Sequence, residues 1–178
     1  STREDDKLTR VEIRADWCSK CGELILYRED LPHNDDSFQV IFAPGCGKRK
    51  RIMLMGALNE DADLGLMGTL NEYADTKPTI DIDMRNIRQV DKRGAARWMA
   101  KSRKLANNAK LNFTGCSPIV IKTLNEIPNF LDSGNISSFY VPVYCEECDH
   151  EFQQHLDVGL CLGFGGNIPS VACTICGK

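Results

Sequence analysis

At Val90 the spacing of the apolar residues changes. Upstream, Ile80, Ile82 and Met84 alternate with Asp81, Asp83 and Arg85, the period of two expected of a strand with one buried face. Downstream, Ala95, Trp98, Met99, Ser102, Leu105 and Ala106 recur at three and four, the stripe of an amphipathic helix. A strand therefore feeds a helix through a short turn. Asp91 stands where an N-cap belongs, its carboxylate placed to accept one of the first free amide protons of a helix beginning at Lys92.

The neighbouring stretches continue this alternation of periods. Residues 50–55 set Ile52 and Leu54 on one side and Met53 and Met55 on the other, as in a strand covered on both faces. Residues 58–73 carry Leu58, Ala62, Leu66 and Leu70 at helical spacing, and 110–113 read as a further strand. Ser117 before Pro118 is a good cap, with Pro at the first position of a helix over 119–127. Residues 136–143 form a last strand that delivers the chain to Cys145. Strands alternating with helices imply an α/β layer built on a mixed or parallel sheet.

The order of strand, the turn Val90-Asp91-Lys92-Arg93-Gly94, and a helix bearing Trp98 four places on resembles the STAS domain, named for sulfate transporters and anti-sigma factor antagonists. The resemblance runs from Arg51 to Tyr144 and implies a STAS-like mixed sheet with helices. It also implies that the turn and its helix are the surface offered to a protein partner. In the antagonists the second serine of this turn is phosphorylated, and here that position is Arg93. No phosphoacceptor hydroxyl is present, so switching by a protein kinase is not implied at this spot.

Nine cysteines among 178 residues demand an account of their own. Cys145 and Cys148 form one Cys-x-x-Cys pair, and Cys173 and Cys176 form another after a gap of 24 residues. Two such knuckles put four thiolates at tetrahedral spacing, the sulfur-rich set that zinc prefers. With every position filled by thiolate, the site is structural, not catalytic. His150 and His155 are near but unneeded. Cys18, Cys21 and Cys46 repeat the pattern at the other end with the same 24-residue gap, and Cys-Gly-Lys closes both units. The first copy lacks a fourth thiol, which His33, Cys116 or Cys161 would have to replace. A ribbon that has lost its metal and survives on packing is the alternative there. Cys116 and Cys161 have apolar or glycine neighbours and read as small core residues. Residues 1–49 are thus expected as a degenerate zinc-ribbon-like unit, 50–143 as the STAS-like domain and 144–178 as a four-cysteine zinc ribbon. One zinc is expected per chain, and a second if the N-terminal set is complete.

From Arg85 to Lys110 nine basic residues face the single acid Asp91, although the whole chain carries a net charge of −3. Lys92, Arg93, Arg97, Lys101 and Lys104 recur along the helix. A solvated face is the ordinary reading of such a run, but solvated faces normally mix both signs and this one does not; an acidic protein, a nucleotide phosphate or nucleic acid would each be attracted to it, and the resemblance implies the protein partner. Nucleic acid, through this face and the run Lys48-Arg49-Lys50-Arg51, is the less favoured alternative, and a structural subunit of a larger assembly is a third reading. Nothing in the sequence names a small-molecule ligand. No phosphate loop, Ser-His-Asp set or paired carboxylates at a cleft supports an enzyme. Without an apolar leader or a run long enough to span a bilayer, the chain reads as cytoplasmic.

Overall fold

In the computed structural model, which describes residues 13–17, 24–28, 37–43, 49–65 and 77–177, one mixed sheet lies between two hairpins in chain order. The strands are β1 (Ile13–Trp17), β2 (Leu24–Arg28), β3 (Gln39–Ala43), β4 (Arg49–Leu58), β5 (Thr79–Val90), β6 (Lys110–Thr114), β7 (Asn135–Ile136), β8 (Ser138–Cys145) and β9 (His150–Asp157). The helices are α1 (Lys92–Asn108), α2 (Pro118–Glu126) and α3 (Val158–Gly163). The five-stranded sheet runs β3-β4-β5-β6-β7, with β3 antiparallel to β4 and the other pairs parallel. Its α/β character is as the alternating periods imply. Among the described residues no helix is long and apolar enough to cross a membrane.

The period change at Val90 is real. β5 ends there and α1 begins at Lys92, with the Asp91 carboxylate accepting from the Gly94 amide at 2.6 Å. Asp91→Ala removes that acceptor and should cost about 1 kcal/mol in chemical denaturation. A loss near zero would mean the cap is dispensable. One face of the sheet makes the core. Ile82 pairs across the sheet with Ile52 and Phe113, and Ile80 with Leu111, so these side chains share a face, and all are buried. Trp98 of α1 meets Phe113 edge-on, ring centres 6.2 Å apart.

The opposite face departs from the expectation of a single buried side. Asp81 and Asp83 are each only 5% exposed. A buried carboxylate needs donors, and Asp81 accepts from Arg49 Nη2 at 3.0 Å and Asn112 Nδ2 at 2.7 Å. Asn135 Nδ2 in turn donates to Asn112 Oδ1 at 3.1 Å. A polar ladder thus crosses β4, β5, β6 and β7. Asp83 accepts from both the backbone amide and Nε of Arg85, which forms its ion pair at 2.9 Å.

Several expectations are corrected. Residues 39–43, within the stretch assigned to the N-terminal ribbon-like unit, form the antiparallel edge of the main sheet as β3, so the sheet begins before residue 50. β2 pairs with β1. The helix expected over 58–73 does not start at Leu58, because β4 continues through Leu58 and a turn follows at 59–61; residues 66–76 lie outside the described residues. Ser117 makes no side-chain cap to α2, its hydroxyl donating instead to the Ile87 carbonyl at 2.8 Å. The strand expected over 136–143 is two elements. β7 adds two residues to the sheet, and β8 leaves it to pair with β9. Between the two cysteine pairs the chain forms the short helix α3 and then turns at 164–166.

Candidate metal centre and basic helix face

The C-terminal cysteines are placed by two tight turns. β8 and β9 pair from Ser138↔Asp157 to Cys145↔His150, so Cys145 closes the hairpin and Cys148 rides in its tip. The tip bends through Asp149 at φ 50°, and the Tyr144 hydroxyl donates to the Asp149 carboxylate at 2.6 Å. The second pair sits on a turn at 174–176, where the Gly177 amide donates to the Cys173 carbonyl at 2.9 Å and Gly177 takes φ 73°. Glycine adopts that left-handed conformation without a Cβ penalty, which accounts for its place after Cys176.

The two turns bring the four sulfurs together. Cys145, Cys148, Cys173 and Cys176 all lie within 4.8 Å of one another. Sγ of Cys145 is 3.7 Å from that of Cys176, and Sγ of Cys148 is 3.9 Å from that of Cys173. A disulfide would bring sulfurs to about 2.0 Å. Metal–sulfur bonds of about 2.3 Å in a tetrahedron instead separate the ligands by about 3.8 Å. The spacing fits one metal ion among four thiolates, and it is too small for the corners of a multi-iron cluster.

The thiols are not alike electrostatically. The amides of Cys176 and Ile175 pull the Cys173 thiol down to about 6, the Ile175 amide lying 3.4 Å from Sγ. Cys148 is pushed up to about 12, first by its hydrogen bond to Cys176, then by burial and by its other sulfur neighbours. One thiolate is thus prepared by the backbone, while a second resists ionising beside it. Ionising all four at this spacing would take a cation between them. His150 stacks on Phe152 and His155 packs against Tyr140, and neither joins the sulfur group.

Cys18, Cys21, His33 and Cys46 lie outside the described residues. Among the described residues of that end, β1 and β2 pair antiparallel from Ile13↔Arg28 to Trp17↔Leu24. Cys116 is wholly buried in the core and its thiol is pushed up to about 12 by burial and by Asp83. Cys161 is buried in α3.

The basic residues of α1 divide into two groups. Lys92, Arg93, Arg97 and Lys104 are exposed and Lys101 is half-buried, while Gly94, Ala95, Trp98, Ser102 and Leu105 fill the inner face. Arg93 Nη1 pairs with the Glu60 carboxylate, and Arg97 Nη1 donates to the Glu60 carbonyl. These two arginines tie the turn after β4 to the helix. Among the described residues Lys92, Lys101 and Lys104 form no ion pair. Glu60 escaped the sequence reading because it was placed in a helix, and nothing in local periodicity links it to a pair of arginines more than thirty residues away. Arg49, part of the run read as a nucleic-acid contact, is taken up by Asp81. No protein-family model matches the chain, and no curated protein sequence matches it either.

Proposed function

We propose that the chain is a non-enzymatic regulatory or scaffold protein that binds an acidic surface of a protein partner through α1, with a structural zinc held by Cys145, Cys148, Cys173 and Cys176. The observation that carries the partner reading is a helix fixed by Trp98 and Gly94 on its inner side that presents cations of one sign outside. Lys92, Lys101 and Lys104 are the docking charges. Arg93 and Arg97 hold the turn at Glu60 and so shape the end of the surface. The resemblance of residues 51–144 to STAS domains supports the same face, since there the helix after the turn meets the partner. Zinc is favoured for the sulfurs because tetrahedral thiolate sets suit it, and a reducing compartment such as the cytoplasm keeps them available.

Each exposed contact is worth about 1 kcal/mol or less. Lys101→Ala alone should therefore weaken partner capture only a few-fold, whereas Lys92→Glu/Lys101→Glu/Lys104→Glu should lower it at least about tenfold, because like charges repel across an interface. The measurement is recovery of the partner by affinity purification from native cells, at matched metal content and melting temperature. Undiminished recovery would leave α1 a merely solvated face and favour a structural subunit. Recovery of nucleic acid that collapses steeply with salt would replace the protein partner altogether.

A further inference from the structure

Residues 63–65, which follow the turn after β4, and one side of α1 enclose a cleft of about 410 Å³. The helix wall is Arg97, Ala100, Lys101 and Lys104, residues three and four apart that an α-helix sets in one row. The three cations therefore face one space and not merely one helix. Leu64, which is buried, and Ala100 give that space an apolar patch beside the charges. A water molecule takes about 30 Å³ of liquid, so the cleft holds far more than a bare inorganic ion.

The charges of the cleft do not cancel. Among the described residues no carboxylate pairs with Arg97, Lys101 or Lys104. Arg97 Nη1 donates to the Glu60 carbonyl, which is uncharged, while the Glu60 carboxylate is taken by Arg93. The lining holds one acid, Asp63, whose Oδ1 already accepts from the Gly65 amide at 2.8 Å. Three positive charges thus stand against one negative, a surplus of two. A carboxylate guest would leave one of them unmatched. A phosphate monoester, with a charge of about −1.5 to −2 at neutral pH and three strong acceptor oxygens, matches both.

We propose that this cleft binds the phosphate monoester of a small organic molecule, with Arg97, Lys101 and Lys104 on the phosphate and Leu64 and Ala100 against the organic part. The guanidinium nitrogens that Arg97 does not spend on Glu60 offer a planar fork to phosphate oxygens, and the two lysines add mobile point charges. The half-buried Lys101 lays its stem in the cleft and keeps its ammonium for the guest. Lys101 and Lys104 also belong to the partner surface proposed above. The ester site needs no partner to fill it, so the two readings fail separately.

The test is isothermal titration of the full chain at neutral pH with phenyl phosphate, phenyl sulfate and inorganic phosphate. Phenyl phosphate should bind one per chain with a Kd below about 1 mM. Phenyl sulfate, of the same shape but singly charged, should bind at least about tenfold more weakly, and inorganic phosphate several-fold more weakly because it leaves the apolar patch unused. Lys101→Ala/Lys104→Ala should weaken phenyl phosphate at least about tenfold at unchanged melting. Asp63→Asn, which keeps an oxygen for the Gly65 amide and loses the charge, should tighten it. Lys110→Ala/Lys122→Ala, an equal loss of charge outside the cleft, should bind as the parent does. The proposal is overturned if phenyl phosphate does not bind, if phenyl sulfate or inorganic phosphate binds equally well, or if the two lysine double variants behave alike. A phosphoserine peptide bound more tightly than phenyl phosphate would also overturn it, in favour of a modified side chain of a protein partner.

Discussion

Cys148→Ser should unfold the C-terminal unit and leave the main sheet standing. Between Tyr144 and Gly177 the buried residues are Cys145, Leu156, Cys161 and Cys173, so three of the four are cysteines and Leu156 is the only large apolar side chain inside. Such a unit has almost no core. On the proposal of a bound ion, its fold comes from the drawing of the two knuckles onto that ion, since for small metal-bound units the binding energy is much of the folding energy. Losing one of four ligands leaves three sulfurs with no reason to stay within 4.8 Å of a shared centre.

The boundary of the unfolding can be placed. The Cys116 amide donates to the Ser138 carbonyl at 3.0 Å, and the Tyr140 amide donates back to Cys116 at 2.8 Å. Phe139 packs against the main core. The first residues of β8 therefore belong energetically to the sheet, whatever happens at its far end. Amide hydrogen exchange in Cys148→Ser, or in the parent chain stripped by a chelator, should show protection lost from about Tyr144 onward and kept at Tyr140, β5 and α1. Metal analysis of the reduced parent should find about one zinc per chain from this site. Full protection after Tyr144 in a metal-free variant would show that packing, not the ion, holds the unit.

What the sequence revealed and what it hid divide along the range of the forces. The turn at Asp91 was legible because strand period, cap and helix stripe are all written within a dozen residues. The sulfur group was legible because Cys-x-x-Cys fixes each pair locally and the chemistry of thiolates supplies the long-range step. Partner choice between strands was not. β3 falls within the stretch read as a ribbon-like unit, yet Val40, Phe38 and the register with Met53 and Met55 place it on the sheet edge. Nor does alternation distinguish a solvated Asp81 from a buried one, because the deciding donors, Arg49 and Asn112, come from other strands. Ser117 shows the same limit. Its sequence context favours a cap, but the carbonyl of Ile87, brought close by the fold, takes its proton instead.

Gly94→Ala should destabilise the protein by about 2 kcal/mol net, against the sign that helix propensity predicts. Gly94 is the third residue of α1, where alanine is ordinarily favoured over glycine by about 1 kcal/mol. Here a Cβ would stand 2.0 Å from the Leu58 carbonyl oxygen, 2.4 Å from its carbon and 2.6 Å from the Asn59 amide nitrogen. Those are backbone atoms at the end of β4, and they cannot swing aside as a side chain would. The Leu58 carbonyl also accepts from the Asp91 amide at 3.1 Å, so moving the helix away strains the bond that starts it. Overpacking of this kind costs about 3 kcal/mol, which outweighs the propensity gain. Ala96→Gly, exposed on the same helix, calibrates the comparison and should lose about 1 kcal/mol by propensity alone. Chemical denaturation of the two variants beside the parent decides the matter. A gain in stability for Gly94→Ala would mean that α1 does not sit on the end of β4, and the contacts of Arg93 and Arg97 with Glu60, which depend on that seat, would fall with it.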